Sequence, residues 1–217
     1  MKRFLVALTI LTSSLFSFAS ALDIIDESFL ALKEFLDQPD SGAFLSLLER
    51  ARGIFIVPKY LKLGWVLGGQ YGQGVLLKRD PETNTWYGPL FVKMYGLSFG
   101  PQIGFQSVSL IAVIMENVDA FAEGNITLGG SLSVAAGPLG RRLSADYNLD
   151  ASVYSYSIAR GFYAGFSLEG AKIDVDLDLT REYYNVYRIE PEEILRREVS
   201  GRAEKIVNLL NEKLTEE

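Results

Sequence analysis

The chain has 217 residues, a formal net charge of −6 at pH 7, and neither cysteine nor histidine. These absences exclude disulfides, thiol nucleophiles, imidazole bases and the usual zinc sites. The negative charge disfavours a nucleic-acid partner, whose phosphates need a basic surface. The composition therefore predicts a protein that is not an enzyme of a common class and that needs no cofactor or metal.

The first 21 residues have the layout of a secretory signal peptide. Lys2 and Arg3 precede an apolar stretch that ends in the small residues of Ala19-Ser20-Ala21. We expect cleavage near Ala21 and a periplasmic or secreted protein, with a retained membrane anchor as the alternative. Without this segment the chain has 196 residues and a formal net charge of −8, which is the size of one domain.

Two amphipathic helices are predicted directly after the signal, over residues 23–36 and 41–51. The polar face of the first is mainly acidic, with Asp23, Asp26 and Glu27 among its members. A helix that lies on a membrane surface normally has a basic polar face. We therefore expect these helices to dock onto the protein's own core.

The hydrophobic period changes from 3.6 to 2 between Gly53 and about Asp176, which indicates β-strands. In "GWVLGGQYGQGVLL", residues 64–77, alternation puts bulky side chains on one face and mostly glycine on the other. Residues 97–106, 128–137 and 153–170 repeat this pattern. Glycine on one strand face predicts that another backbone comes close there or that the sheet bends sharply. The expected fold class is α+β, a strongly curled antiparallel β-sheet or small barrel with helices at both ends.

The end of the chain returns to helical patterns. "DLTREYY" predicts a short helix, and residues 191–214 predict a longer one that begins at Pro191 and is interrupted near Gly201. The expected division is a signal peptide over 1–21, a domain over 22–195 and a C-terminal amphipathic helix over 196–217. Arg160-Gly161, between two alternating runs, predicts a hairpin turn.

Two stretches imitate catalytic motifs. The glycines of residues 64–77 lack the Gly-Lys-Ser/Thr ending of a phosphate loop, and strand alternation continues straight through them. "GLSFG" places Ser98 where a hydrolase has its nucleophile, but the chain has no histidine base. A pairing of Ser98 with Lys93 or Lys62 stays open as the less favoured hydrolase alternative.

Charged clusters suggest two further sites. Asp174, Asp176 and Asp178 alternate along an expected strand, which indicates a solvated face or a weak cation site. Basic residues stand near expected turns, and turns that gather at one end of the sheet would form a basic rim; ordinary solubilising charges are the alternative. These residues are Lys59, Lys62, Lys78, Arg79, Arg141, Arg142 and Arg160.

Three stretches resemble the SYLF domain, a lipid-binding family of bacterial exported proteins and of eukaryotic proteins of actin patches and endosomes. With the sequence between them they cover about residues 50–195. They are "GIFIVPKYLKLGWVLGGQYGQGVLL", "LSFGPQIGFQSVSLIAVIM" and "LGGSLSVAAGPLGRRLSADYNLDASVYSYSIARGFYAGFSLEGAKIDVDLDLTREYY".

The resemblance implies a non-catalytic domain that binds membrane phospholipids, phosphoinositides in the eukaryotic members, some of which also bind actin. The basic positions that it carries over are Lys62 in "LKLGW", Arg141 in "GPLGR" and Arg160. We expect these three to bind lipid, with peripheral membrane association and no actin partner in an exported protein. The alternative function is an outer-membrane β-barrel protein, suggested by the signal, the alternation and the aromatic residues.

Overall fold

The computed structural model describes residues 19–38, 41–64, 67–99, 104–138, 150–159, 162–165, 168 and 170–215. The strands are β1 Gly53–Gly64, β2 Leu67–Asp80, β3 Thr85–Phe99, β4 Gly104–Ile114, β5 Ile126–Thr127, β6 Val134–Ala136, β7 Val153–Ala159, β8 Phe162–Gly165 and β9 Lys172–Val175. The helices are α1 Ala21–Leu36, α2 Gly42–Leu48, α3 Ala120–Glu123, α4 Leu177–Tyr184, α5 Pro191–Ile194 and α6 Glu204–Thr215, with a 3₁₀ turn at Gly201–Ala203.

The strands form one strongly curled sheet, half of a barrel, in the order β5-β9-β3-β2-β1-β4-β7-β6, with β8 paired to β7. The predicted α+β class, the curled sheet and the helices at both ends are confirmed. The sheet is mixed rather than purely antiparallel, because β6 pairs with β7 in parallel. Parallel pairing needs a longer connection than a hairpin, and residues 137–152 supply it.

Helix α1 docks onto the sheet as its acidic polar face predicts. Ser20 caps the helix: its hydroxyl accepts a hydrogen bond from Asp23 N at 3.2 Å, and the Asp23 carboxylate accepts one from Ser20 N at 3.1 Å. Asp26 binds Arg202 and Lys205 of the C-terminal region, and their hydrogen bonds hold the pKa of Asp26 well below its usual range. Cleavage after Ala21 would remove this cap.

Two apolar clusters lie on opposite faces of the sheet. The outer cluster joins α1, α2 and α6 to one face of the long strands, with Phe35, Phe44 and Tyr156 in edge-to-face contact at its centre. The inner cluster fills the concave side of the curl and is closed by α3, α5 and the segments around β5 and β9. Both faces of the sheet are therefore packed over much of their area.

The bare glycine face of β2 lies against another backbone at Gly74. Strand β1 has a bulge between Ile56 and Lys59, and this bulge lies against β2. A Cβ added to Gly74 would lie 2.0 Å from the Ile56 carbonyl oxygen, and one added to Gly72 would lie 3.0 Å from the Lys59 oxygen. Gly69, by contrast, would meet no heavy atom within 4 Å. Backbone crowding therefore explains Gly74, whereas the atom nearest to a Cβ at Gly72 is the side-chain Cγ1 of Val57 at 2.6 Å; β2 continues as a strand beyond both glycines.

The last helix is part of the same packed body. Ile206 and Leu210 of α6 are fully buried in the outer cluster. The predicted interruption is longer than expected, because α5 ends at Ile194, residues 195–200 are not helical, and the 3₁₀ turn at Gly201–Ala203 precedes α6. The division at residue 195 stays a prediction. In the part of the chain that the structure describes, each helix is too short or too polar to cross a membrane.

Candidate functional site

The predicted lipid-binding residue Lys62 lies near the end of β1, where the β1–β2 hairpin turns. We call this region the hairpin end and define it by residues 60–62 of β1, 70–72 of β2 and 95–97 of β3, which lie side by side on neighbouring strands. Lys62 is partly buried, and burial lowers the pKa of its ammonium group. Its Nζ lies 5.9 Å from the centre of the Tyr60 ring.

The other two predicted lipid-binding residues, Arg141 and Arg160, lie outside the described residues. The strands around position 160 are described: Ala159 of β7 pairs with Phe162 of β8, as the predicted hairpin requires. Ile158 pairs with Ser109 of β4, and the adjacent Val108 pairs with Tyr60. The register therefore places the end of β7 at the same end of the sheet as Lys62.

Polar residues form a row across the inner face at the hairpin end. Lys62 pairs with Gln70 of β2, and the two side chains are on the same face. The next row inward contains Tyr60, Gly72 and Met94, where Tyr60 is fully buried. On the inner face, the row of Tyr60 is therefore apolar and the adjacent row towards the hairpin, that of Lys62 and Gln70, is polar.

The outer face of the hairpin end exposes apolar side chains. Tyr71 is 43% exposed and Leu97 is 69% exposed. Gly69 pairs with Leu97 and Tyr71 pairs with Tyr95, so Tyr71 and Leu97 are diagonal neighbours on one face. A partly buried cation and an exposed apolar pair therefore occur at the same end of the sheet.

The basic rim is not formed by all of the residues that suggested it. Lys59 pairs with Glu27 of α1, and the Lys78 ammonium lies 2.7 Å from the Asp119 carboxylate. Lys78 and Arg79 are at the opposite end of β2 from the hairpin, so including them was wrong. The period-2 pattern identified the strand but could not tell which strand ends share an edge.

Arg79 has a structural role that the sequence did not reveal. The residue is 7% exposed, and burial lowers the pKa of its guanidinium. Its Nη1 donates to the carbonyl oxygens of Leu48 at 2.6 Å and Glu49 at 3.0 Å, and its Nε donates to Asn84 at 2.9 Å. Arg79 therefore satisfies the carbonyl groups at the end of α2.

The hydrolase alternative does not fit the strand geometry. Ser98 lies inside β3 and pairs with Gly68 of β2, whereas a nucleophile elbow needs a sharp turn between a strand and a helix. Lys93 is five residues away on the same strand, roughly 17 Å at the usual strand rise. Lys62 lies on β1, with β2 between it and β3. Neither lysine stands beside Ser98 in the sheet.

The three alternating aspartates do not share a strand face. Asp174 is in β9 and accepts a hydrogen bond from the Tyr95 hydroxyl at 2.7 Å. Asp176 caps α4 by accepting from Leu179 N at 3.2 Å, and Asp178 is inside that helix. The strand prediction was wrong from Asp176 onward, because the cap begins a helix there. Among the described residues, no group of acidic side chains is arranged to hold a metal ion.

Comparison with known proteins gives the family. The profile of the Ysc84 family, described as "Las17-binding protein actin regulator", matches residues 95–214. The chain is 34% identical over 178 residues to SH3 domain-containing YSC84-like protein 1 of Xenopus laevis, which covers 77% of this chain and 52% of the relative. The human protein of that name is 34% identical over 151 residues, covering 67% and 44%.

A yeast relative gives the same result. LAS seventeen-binding protein 3 of Saccharomyces cerevisiae is 35% identical over 145 residues, which is 64% of this chain and 31% of the relative. The chain thus spans about half or less of the length of these relatives. No solved structure matches it. The profile match covers more than half of the sequence, and the chain therefore belongs to the Ysc84 family, whose domain is the SYLF domain.

Proposed function

We propose that this chain is an exported, non-catalytic domain that binds membrane phospholipid through the hairpin end of its sheet. The observation that carries the proposal is the partly buried Lys62, which stands in a polar row on the inner face while Tyr71 and Leu97 are exposed on the outer face. A basic group at the same end of the sheet as exposed apolar side chains suits a ligand with an anionic head and an apolar tail.

The electrostatics of Lys62 support an anionic head group. Burial disfavours the charged form of a lysine, as the lowered pKa of Lys62 indicates. A phosphate group near the ammonium would favour that charged form again. The whole chain carries a formal charge of −6, so binding depends on this local positive group rather than on the total charge.

The exposed pair on the outer face supports contact with the apolar part of a membrane. Leu97 is the more exposed of the two, and Tyr71 has the amphipathic ring that is favoured where water meets lipid. Since each is anchored on a paired strand, inserting them would need little loss of backbone entropy. We propose that they contact the acyl region while Lys62, Arg141 and Arg160 bind phosphates.

Relatives of this chain are named for binding Las17 and for actin regulation. Those names describe proteins that are about two to three times as long as the matched segment. The signal peptide predicted at residues 1–21 would take this chain out of the compartment that holds actin. Lipid is therefore the partner that we propose.

Vesicle co-sedimentation tests the proposal. The purified chain is incubated with vesicles of phosphatidylglycerol or phosphatidylcholine, and pelleted protein is measured. We expect stronger recovery with phosphatidylglycerol, and a loss of at least about tenfold in affinity for Lys62→Glu with Arg141→Glu, since each basic residue near an anionic surface contributes about 1 kcal/mol.

The matched control changes the net charge equally at a distance from the hairpin end. Lys33 lies on α1 beside Asp37, and Arg196 follows α5; both are exposed, so Lys33→Glu with Arg196→Glu should bind like the unmodified chain apart from a small general charge effect. Equal recovery of the unmodified chain in the supernatant with both lipids would refute lipid binding. Equal losses in the two double variants would refute the hairpin end as the site.

A further inference from the structure

The hydroxyl group of Tyr60 is an unexplained polar atom at the hairpin end. Tyr60 is fully buried, and within the described part of the chain its hydroxyl has no hydrogen-bond partner. Burial raises the pKa of this hydroxyl, so it is a protonated donor at any physiological pH. A buried hydroxyl without a partner costs free energy, and few remain in native proteins without a reason.

The neighbours of Tyr60 inside the curl are apolar. In its own row it lies between Val108 of β4 and Gly72 of β2, with Met94 of β3 beyond, and all the side chains of this row belong to the inner cluster. A phenylalanine at position 60 would satisfy this environment completely. The hydroxyl therefore has no role in packing.

The row directly next to Tyr60 on the same face is the polar one. Residues two apart on a strand share a face, so Lys62 follows Tyr60 on the inner side, with Gln70 beside it. The Lys62 ammonium already lies 5.9 Å from the centre of the Tyr60 ring. The ammonium is therefore near the ring that carries the unpartnered hydroxyl, so a ligand bound by Lys62 would be held next to Tyr60.

Gly72 leaves space for the ring of Tyr60. A Cβ at this position would lie 3.0 Å from Tyr60 Cδ2 and 2.6 Å from Val57 Cγ1. The absence of a side chain at Gly72 thus makes room for the Tyr60 ring, whose hydroxyl donor has no hydrogen-bond partner among the described residues. Leucine or phenylalanine would fill the same space without that donor.

We propose that Tyr60 donates a hydrogen bond to a phosphate oxygen of a ligand held beside Lys62 and Gln70. This inference rests on the proposed lipid function and adds a specific binding residue inside the curl. The chemistry recognised is a phosphate ester, whose source is a phospholipid head group or a soluble phosphate ester.

The test separates binding from stability by replacing Tyr60 with phenylalanine. Because Tyr60→Phe removes only the unpartnered hydroxyl, we expect the melting temperature to stay the same or rise. We expect the affinity for phosphatidylglycerol vesicles to fall by about tenfold, since a hydrogen bond to a charged group is lost. A merely structural tyrosine would not give these opposite effects.

The matched control removes a hydroxyl elsewhere. Tyr187 is 92% exposed in the segment after α4, and Tyr187→Phe should change neither the melting temperature nor the affinity. A second arm replaces vesicles with soluble glycerol phosphate, measured by calorimetry. Weaker binding by Tyr60→Phe in either arm, at a melting temperature that has not fallen, supports the inference. Weaker binding to vesicles alone identifies a phospholipid head group as the source of the phosphate, and weaker binding to glycerol phosphate identifies a soluble ester as a ligand too.

The outcomes distinguish this inference from the proposed function. If the unmodified chain binds vesicles and Tyr60→Phe binds both ligands equally well, the role of Tyr60 is wrong while lipid binding stands. If the unmodified chain binds neither ligand, the proposed function is wrong, and the role of Tyr60 with it. A fall in both melting temperature and affinity would assign the hydroxyl to packing and overturn the inference.

Discussion

Replacing Gly74 with alanine is expected to destabilise the folded chain by at least about 3 kcal/mol, at the upper end of the usual cost of overpacking. The added Cβ would lie 2.0 Å from the Ile56 carbonyl oxygen and 2.9 Å from the Val57 Cα. These are backbone atoms of the β1 bulge and cannot turn aside as a flexible side chain could. Strand β1 would have to separate from β2 over the bulge.

Gly69 on the same strand is the control for this substitution. An alanine there would meet no heavy atom within 4 Å, and the residue lacks the positive φ that favours glycine. Gly69→Ala should therefore be neutral or stabilise by up to about 1 kcal/mol, since alanine loses less backbone entropy than glycine on folding. Urea unfolding of the two variants, followed by circular dichroism, gives both values.

A small effect at Gly74, equal to that at Gly69, would contradict the explanation of the glycine pattern. The bare strand faces would then have some reason other than backbone crowding. A large loss of stability at both positions would also contradict crowding as the cause, because of these two glycines only Gly74 is crowded.

Replacing Arg79 with methionine is expected to lower the free energy of unfolding by roughly 3 kcal/mol, because several charge-assisted hydrogen bonds are lost at once. The carbonyl oxygens of Leu48 and Glu49 at the end of α2 would lose their donor, and so would Asn84. The guanidinium carbon also lies 5.7 Å from the centre of the Trp86 ring, a contact that methionine would keep only in part.

Lysine at position 79 distinguishes geometry from charge. Arg79→Lys keeps the positive charge, but its single ammonium group lacks the planar guanidinium that reaches two carbonyl oxygens and Asn84 at once. Its stability should therefore lie closer to that of Arg79→Met than to that of the unmodified chain. Arg196→Met, on an exposed residue near the same end of the sheet, should change the unfolding midpoint little. Wild-type stability in Arg79→Met would show that the contacts with α2 do not hold the fold together.

Much of the fold could be predicted because its causes are local. Alternation between bulky residues and glycine in residues 64–77 correctly indicated strand structure, although the structure divides this stretch between the end of β1 at Gly64 and β2 from Leu67. The backbone crowding at Gly74 is one of the causes that the pattern predicted. The acidic face of α1 correctly indicated docking, which Asp26 completes with Arg202 and Lys205. Pro191 and Gly201 marked the start and the interruption of the C-terminal helices.

The features that could not be predicted depend on pairing between distant segments. The parallel pairing of β6 with β7 and the strand order around β1 are decided by which surfaces meet after the chain folds. From the sequence, Arg79 is indistinguishable from a solvent-exposed basic residue in a loop. Only the position of α2 in the structure shows that it binds the carbonyl oxygens of Leu48 and Glu49. In the sequence, Asp176 extends the alternation of aspartate and apolar residues that indicated a strand, but in the structure its side chain caps α4.

The candidate site was predicted in part. Lys62 was identified by its family position, and the structure adds that it lies in a polar row directly next to the apolar row of Tyr60. Tyr60 was not identified, since tyrosine in an alternating strand reads as a core residue. Spacing could have identified it: Tyr60 and Lys62 are two residues apart on one strand, so they share a face, and the tyrosine is next to a basic residue on that face.

The most direct test of phospholipid binding at the hairpin end maps the contact residue by residue. The isotope-labelled chain is titrated with phosphatidylglycerol in lipid nanodiscs while backbone amide signals are recorded by nuclear magnetic resonance. We predict the largest changes at residues 59–62 and 69–72, and small changes around Arg79 and Arg196 at the opposite end of the sheet. Changes concentrated at that opposite end, or no changes at saturating lipid, would contradict the account.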